Sequence, residues 1–264
     1  MTILLWTFYA VLIGVAIGSF VNAVVFRTSE GEGLGGRSKC RSCLKPIAAK
    51  DLIPVVSFFL LKRRCRKCKA VIEWQYPVVE LAMGILFGLL FARAAYFIGF
   101  PSFVDSSEWL ALFVRDAIMV TFLVIIFIYD LRASVILDRF SIPAMILALV
   151  LNVGLGADPA DLLLGGIILG AFFGFQYVIS KGKWIGGGDI RMGLVMGFLL
   201  GVNLGIVALF SAYVLGAIVG IGLILFGRKT LKSHVPFGTF LATGTLIAMI
   251  WGQDILNWYL GFFA

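Results

Sequence analysis

Long apolar stretches recur along this chain and leave room for little besides membrane-spanning helices. They cover residues 3–26, 77–100, 110–130, 140–155, 162–179, 190–202, 204–226 and 237–253. Most reach the roughly 17–25 residues that cross a hydrocarbon core about 30 Å thick, while 140–155 and 190–202 are shorter. Only 14% of the residues are charged and 61% are hydrophobic; a soluble domain carries charge on about a quarter of its residues. The expected fold is an all-α polytopic membrane protein of about eight transmembrane helices. The weakest boundary is the turn near Gly201 and Val202, which has no charged residue. The first stretch lacks a basic leader region and is read as a retained helix rather than a cleaved signal.

The net charge of +8 is distributed as a topology signal. Twelve Lys and Arg residues lie between Arg27 and Lys69, and most of the rest flank the third, fifth and seventh connections. Asp105, Glu108, Asp158, Asp161 and Asp254 fall on the other connections and termini. The positive-inside rule therefore places the basic connections in the cytoplasm and both termini outside. Arg93 and Arg115 sit near outer helix ends, where long side chains reach the interface. A charge pattern explained in this way requires no nucleic acid.

One polar segment, residues 27–76, interrupts the pattern between the first two helices. It holds all four cysteines, as C-R-S-C at Cys40 and Cys43 and C-R-K-C at Cys65 and Cys68. Two CxxC loops can each aim a pair of thiolates at one tetrahedral zinc. A reducing cytoplasm disfavours two disulfides. Four thiolate ligands leave no open position, so the expected role of the metal is structural, as a zinc-ribbon-like insertion. The G-E-G-L-G-G run at 31–36 follows a membrane helix rather than a strand, so it is read as a linker and not a nucleotide loop.

Carboxylates at a membrane face are functional suspects. Asp130 ends the third helix, Asp138 precedes the fourth and Asp189 precedes the sixth, so all three fall at one depth on the cytoplasmic side. Glu80 follows Pro77 in the first turn of the second helix. A simpler role is open to each: Glu80 as a complement to a helix N-terminus, Asp138 and Asp189 as caps, Asp130 as a solvated end residue. The W-I-G-G-G-D stretch ending at Asp189 says more. Gly186, Gly187 and Gly188 remove the side chains that would keep an extended peptide away from the backbone. Two neighbouring carboxylates share one proton, which suits hydrolysis of a peptide bond by activated water. The single histidine, His234, is read as a solvated loop residue. Two rivals are a carboxylate-based transporter, which needs acids near mid-bilayer and paired broken helices, and a zinc-ribbon scaffold, which tolerates loss of Asp130 and Asp189.

Several motifs together resemble the bacterial type IV prepilin peptidases, the prepilin leader peptidase/N-methyltransferases. These are I-G-S-F-V-N-A-V-V-F-R at 17–27, C-R-S-C, D-L-I-P at 51–54, R-C-R-K-C, Y-P-V-V-E at 76–80, Asp130 with Asp138, G-G-G-D at 186–189 and P-F-G at 236–238. The last aspartate motif is shared with presenilin-like proteases of the Gly-x-Gly-Asp class. The resemblance implies that Asp130 and Asp189 are the catalytic pair, with Asp138, Gly186, Gly188 and Glu80 in support. It implies removal of a short basic leader from type IV prepilins or pseudopilins at the cytoplasmic face of the bacterial inner membrane. N-methylation of the new terminus by S-adenosylmethionine would follow, with a peptidase lacking that second step as the alternative. The implied organisation is a first transmembrane helix (1–26), a metal-binding, methyltransferase-associated segment (27–76) and a peptidase core (77–264). Asn22 and Arg27 match family positions without an assigned role. Three departures stand out: Ile136-Leu137-Asp138 where the family has Leu-Pro-Asp, Thr239 where it has Pro after Phe-Gly, and Arg41 where it has Pro. None is expected to touch a catalytic or metal-binding side chain.

Overall fold

The computed structural model describes residues 2–98, 108–226 and 236–262. His234, Arg228, Lys229, Lys232 and Asp105 lie outside the described residues. The described chain is helical: α1 (Thr2–Ser29), a 3-10 turn (Ala49–Asp51), α2 (Val56–Leu60), α3 (Gln75–Ile98), α4 (Glu108–Ala133), α5 (Asp138–Gly154), α6 (Pro159–Ser180), α7 (Gly187–Leu225) and α8 (Phe237–Leu260). No strand occurs among the described residues, only two isolated bridges in the polar segment. Six helices, α1, α3, α4, α6, α7 and α8, are long and apolar enough to cross a membrane. Large apolar side chains such as Leu4, Phe8, Ile85, Phe175, Val178 and Phe210 are exposed along them, as a lipid-facing surface requires.

Two compact units divide the chain, Met1–Phe113 and Val114–Ala264. In the first, α1 packs along α3 through facing pairs of glycines four residues apart. A Cβ on Gly14 would fall 2.5 Å from the Met83 carbonyl, and one on Gly18 would fall 2.7 Å from Glu80 Cα. Gly84 and Gly88 press in the same way on Val15 and Val11. Lipid offers no hydrophobic drive between helices, so close backbone approach supplies the attraction. Phe87, Phe91, Trp109 and Phe113 fill the far end of this unit edge to face.

In the second unit α7 packs against α5, α6 and α8. The two apolar stretches expected at 190–202 and 204–226 both lie in α7, which is broken at Gly201 (φ 71°, ψ −168°). That conformation belongs almost solely to glycine. A Cβ on Gly205 would sit 3.9 Å from Gly197 Cα, whereas eight residues of straight helix span about 12 Å. The chain thus reverses at Gly201. Asp161 receives the Val202 N–H at 3.3 Å on the outside of the bend. Arg115 is not a lone interfacial cation: its guanidinium bonds Asp116 at 2.9 Å and Asn152 at 2.8 Å. Asn152 in turn donates to the carbonyls of Phe198 and Leu199, both at 3.1 Å, just before the bend.

Candidate active site and metal centre

The four cysteines come together. Their sulfurs all lie within 4.8 Å of one another, and Cys40 and Cys68 are 3.7 Å apart. A tetrahedral site with bonds of about 2.3 Å sets its sulfurs about 3.8 Å apart, so the donor set fits a zinc-sized ion. Each CxxC loop is built the same way. Cys40 N–H bonds Lys45 O and Leu44 N–H returns to Cys40 O; Cys65 N–H bonds Ala70 O and Lys69 N–H returns to Cys65 O. Leu44 and Lys69 both take positive φ at the corner, 55° and 61°. The second knuckle therefore repeats the first. Backbone N–H groups of Cys68 and Lys67 draw the Cys65 thiol down to about 6, and that of Lys45 lowers Cys43. The Ala70 N–H pulls Cys68 the same way, but burial and the three neighbouring sulfurs push it up to about 11. Four crowded sulfurs resist a fourth negative charge, and a divalent cation removes that resistance.

Around the knuckles the polar segment is tied to both helices. Arg27 donates to the carbonyls of Leu34 and Gly36, so the glycine run is an anchored linker. Arg41 stacks 3.9 Å above the Phe26 ring and pairs with Glu30 and Glu73. Asn22 donates to Tyr76 O at 3.1 Å. Asp51 receives Arg66 through two oxygens, at 2.7 and 2.9 Å, and Arg66 holds its carboxyl below the ordinary value. Glu80 lies in the second turn of α3, because that helix begins at Gln75. It does not complement its own helix end: it receives the Val55 N–H at 2.6 Å.

In the second unit Asp130 and Asp189 are both buried, 4% and 7% exposed. Asp130 closes α4 and serves α8, whose own N-cap, Pro236, has no side-chain bond to give. Its Oδ2 accepts the Thr239 N–H at 2.8 Å. Gly238 makes the approach possible, since a Cβ there would lie 2.8 Å from the same oxygen. Asp189 occupies the third position of α7 and accepts the Gly186 N–H at 2.8 Å, while its own N–H bonds Gly186 O. Ile136 joins the two sites. Cβ atoms on Gly188 and Gly238 would each fall 2.7 Å from it. Asp189 is within electrostatic reach of Asp130. The ends of α4, α7 and α8 thus bring two carboxylates to one place, each anchored by backbone N–H groups. Added Cβ atoms on Gly186 and Gly187 would meet no crowding, so the approach to Asp189 is open on that side.

Asp138 is placed differently. The N-cap of α5 is Leu137, so Asp138 is not a cap. Its side chain is 62% exposed and pairs with Arg191, which also reaches Ile136 O at 3.4 Å. Leu137 holds φ at −78°, an angle proline would also impose, so the helix entry keeps its form without one. The Thr239 departure does reach a catalytic candidate: a proline there would have no N–H to give Asp130. Neither Thr239 nor Arg191 was visible as a site residue, because each acts through a neighbour distant in sequence.

Two family models match in order along the chain. One, described as Bacterial Peptidase A24 N-terminal domain, covers residues 12–94, and the Type IV leader peptidase family covers residues 117–221. A relative from Aeromonas salmonicida (strain A449) is 33% identical over 235 residues, 85% of this chain and 74% of its own. One from Aeromonas hydrophila is 30% identical over 288 residues, 97% and 94% of the two chains. One from Bacillus subtilis (strain 168) is 29% identical, with 85% of each chain covered. All three are named prepilin leader peptidase/N-methyltransferase. No solved structure matches. Similarity that runs through the four-cysteine segment and the aspartate-bearing helices alike places this multi-pass membrane protein in the type IV prepilin leader peptidase family.

Proposed function

We propose that this chain removes the basic leader from type IV prepilins or pseudopilins and then methylates the N-terminus it has exposed. The observation that carries the first step is the pair of buried carboxylates, Asp130 and Asp189, each held by backbone N–H groups at a helix start: Thr239 and Gly238 for Asp130, Gly186 for Asp189. With one proton shared between them, the ionised member takes a proton from water and the water oxygen attacks the scissile carbonyl. The protonated member donates to the carbonyl oxygen. Collapse breaks the C–N bond, releasing the leader carboxylate and a new amine, which takes up a proton. The substrate lies extended along the open backbone at Gly186 and Gly187, with Gly188 and Asp138 in support. The substrate's apolar helix stays in the bilayer. The basic connections face the cytoplasm, both termini lie outside, and the membrane is the inner one.

We assign methyl transfer to the four-cysteine segment with its flanking helices, and peptide hydrolysis to the helices that carry the aspartates. Cys40, Cys43, Cys65 and Cys68 would hold zinc as a structural clamp. S-adenosylmethionine would supply the methyl group as a sulfonium. A cavity of about 400 Å³ in the first unit, lined by Phe26, Asp51, Tyr76 and Glu80 among others, has room for it.

Purified protein in lipid, given a prepilin with a basic leader, tests the peptidase. Wild type cleaves before the apolar helix. Asp130→Asn and Asp189→Asn stay folded and lose on the order of 10³-fold in rate. Normal cleavage by either variant removes that residue from the pair. A transporter or scaffold would leave the substrate uncut in all three.

A further inference from the structure

The cavity in the first unit has a distinctive floor. Ser19 and Ala23 come from the end of α1, Tyr76 and Glu80 from the start of α3, and Val55 from the loop that follows D-L-I-P. Cys40 and Cys65 line the same cavity, so the metal knuckles and the helix ends enclose one space. Glu80 is only 5% exposed. Its Oε2 takes the Val55 N–H at 2.6 Å. That donor is aimed by a γ-turn: Val55 has φ 60° and ψ −55°, and Val56 N–H bonds Pro54 O at 2.6 Å. A β-branched residue at positive φ is strained and persists only where its surroundings demand it.

A carboxylate has about four lone-pair sites; the Val55 N–H and the Ser19 hydroxyl use two, and the others are left for a guest. Among the described residues no Lys or Arg side chain forms an ion pair with Glu80. Basic side chains do line the cavity, but Lys39, Arg41 and Arg66 are paired with Glu32, with Glu30 and Glu73, and with Asp51, so the buried carboxylate of Glu80 is left to suit a cationic guest. Its depth suggests which one. The spans Ile3–Ser29 and Gln75–Ala95 are membrane-capable, and the floor lies where the first ends and the second begins. Leader removal leaves a primary ammonium at the end of an apolar helix, where a membrane span stops.

We propose that Glu80 is the acceptor site for methyl transfer, holding the new N-terminal ammonium of the cleaved substrate at the cavity floor. This rests on the methylation reading above. The ammonium gives one proton to Glu80. The nitrogen lone pair attacks the methyl carbon of a sulfonium donor. The C–S bond breaks with its electrons passing to sulfur, leaving a neutral thioether and a protonated methylamine.

The test is binding, with methylation measured beside it. The probe is a synthetic peptide of a mature prepilin helix in lipid nanodiscs, offered with a free N-terminus and with an acetylated one. Wild type prefers the free amine by about tenfold or more. Glu80→Gln, which can still accept the Val55 N–H, binds both forms alike, and Glu80→Asp restores part of the preference. A merely structural Glu80 would weaken both forms equally. Preference kept by Glu80→Gln, or absent in wild type, overturns the proposal. If Glu80→Gln does not fold, the wild-type preference and its partial retention in Glu80→Asp decide the matter. Labelled methyl incorporation separates the two readings. Wild type that prefers the amine but never methylates loses the methylation reading alone. Wild type that methylates without preferring the amine loses the Glu80 site.

Discussion

The sulfurs of the polar segment and the carboxylates of the second unit are both anionic sites built from backbone N–H groups and strained or open backbone, but their supports differ. Around Cys40, Cys43, Cys65 and Cys68 there is little apolar core; Phe58 and Ser57 are the only buried residues of α2. The segment relies on knuckle turns, surface ion pairs and the four sulfurs. Asp130 and Asp189 hang from long helices whose glycines bring backbones into contact, as at Gly197, where a Cβ would lie 2.1 Å from Gly166 N. A small polar segment needs a bound ion to hold its shape. A packed membrane bundle does not. The difference also suits the chemistry: a cavity lies beside the sulfurs of Cys40 and Cys65, whereas helix ends hold two carboxylates in fixed register.

Metal removal breaks this comparison most directly. Chelation, or Cys65→Ser, is expected to abolish amide protection at residues 38–72, since structural zinc contributes on the order of 10 kcal/mol in small domains. Protection across α7 should hardly change. Hydrogen exchange reads both at once, and unchanged protection in metal-free 38–72 would end the argument that the ion supports that unit. Gly197→Ala is the counterpart in the bundle. The added methyl meets backbone rather than a movable side chain, so a loss of about 2 kcal/mol or more is expected. Thermal unfolding in detergent measures it, and a neutral result would mean that α6 and α7 separate cheaply.

Thr239→Pro is a smaller change with a sharper reading. Proline is tolerated in a first helical turn, so α8 should form while Asp130 loses one of its two backbone donors and keeps Gly238. Cleavage is expected to fall about tenfold, because hydrogen bonds to charged groups contribute roughly 1.5–3 kcal/mol. An unchanged rate would show that Gly238 and packing alone position Asp130. The smallest effect belongs to Asp51→Asn. Arg66 lowers the Asp51 carboxyl in the folded protein, so the pair supports the fold above the ordinary Asp value of about 3.9 and fades as pH falls through the lower folded value. At neutral pH the variant should release metal slightly faster to a competing chelator. An unchanged release rate would show that the pair does not support the knuckles.

Much of the helical plan was legible because lipid solvent imposes a strong local rule. Eight apolar stretches were expected, and all eight correspond to helical segments, with 190–202 and 204–226 joined in α7 around Gly201. The CxxC pairs were equally plain, since two residues of spacing suffice to make a knuckle. Less legible were the partners of charged side chains. Asp138 looked like a cap and instead meets Arg191; the bonds of Arg115 to Asp116 and Asn152, which lead to the bend at Gly201, had no sign in the local sequence. The expected harmlessness of Thr239 also failed, because its contact with Asp130 is through the backbone N–H and not the side chain.

The sequence by itself determined where the chain is helical, which segment is polar and which four thiols lie close enough in pairs to share an ion. Hydrophobic length and short spacing are local quantities, and they survive without knowledge of any partner. Tertiary structure alone decided that the end of α4 caps α8 across 109 positions, that α7 doubles back at Gly201, and that Glu80 faces a cavity behind a strained turn at Val55. Those outcomes depend on how closely two backbones approach. That distance is set by the glycines of both partners together, and neither stretch carries it alone.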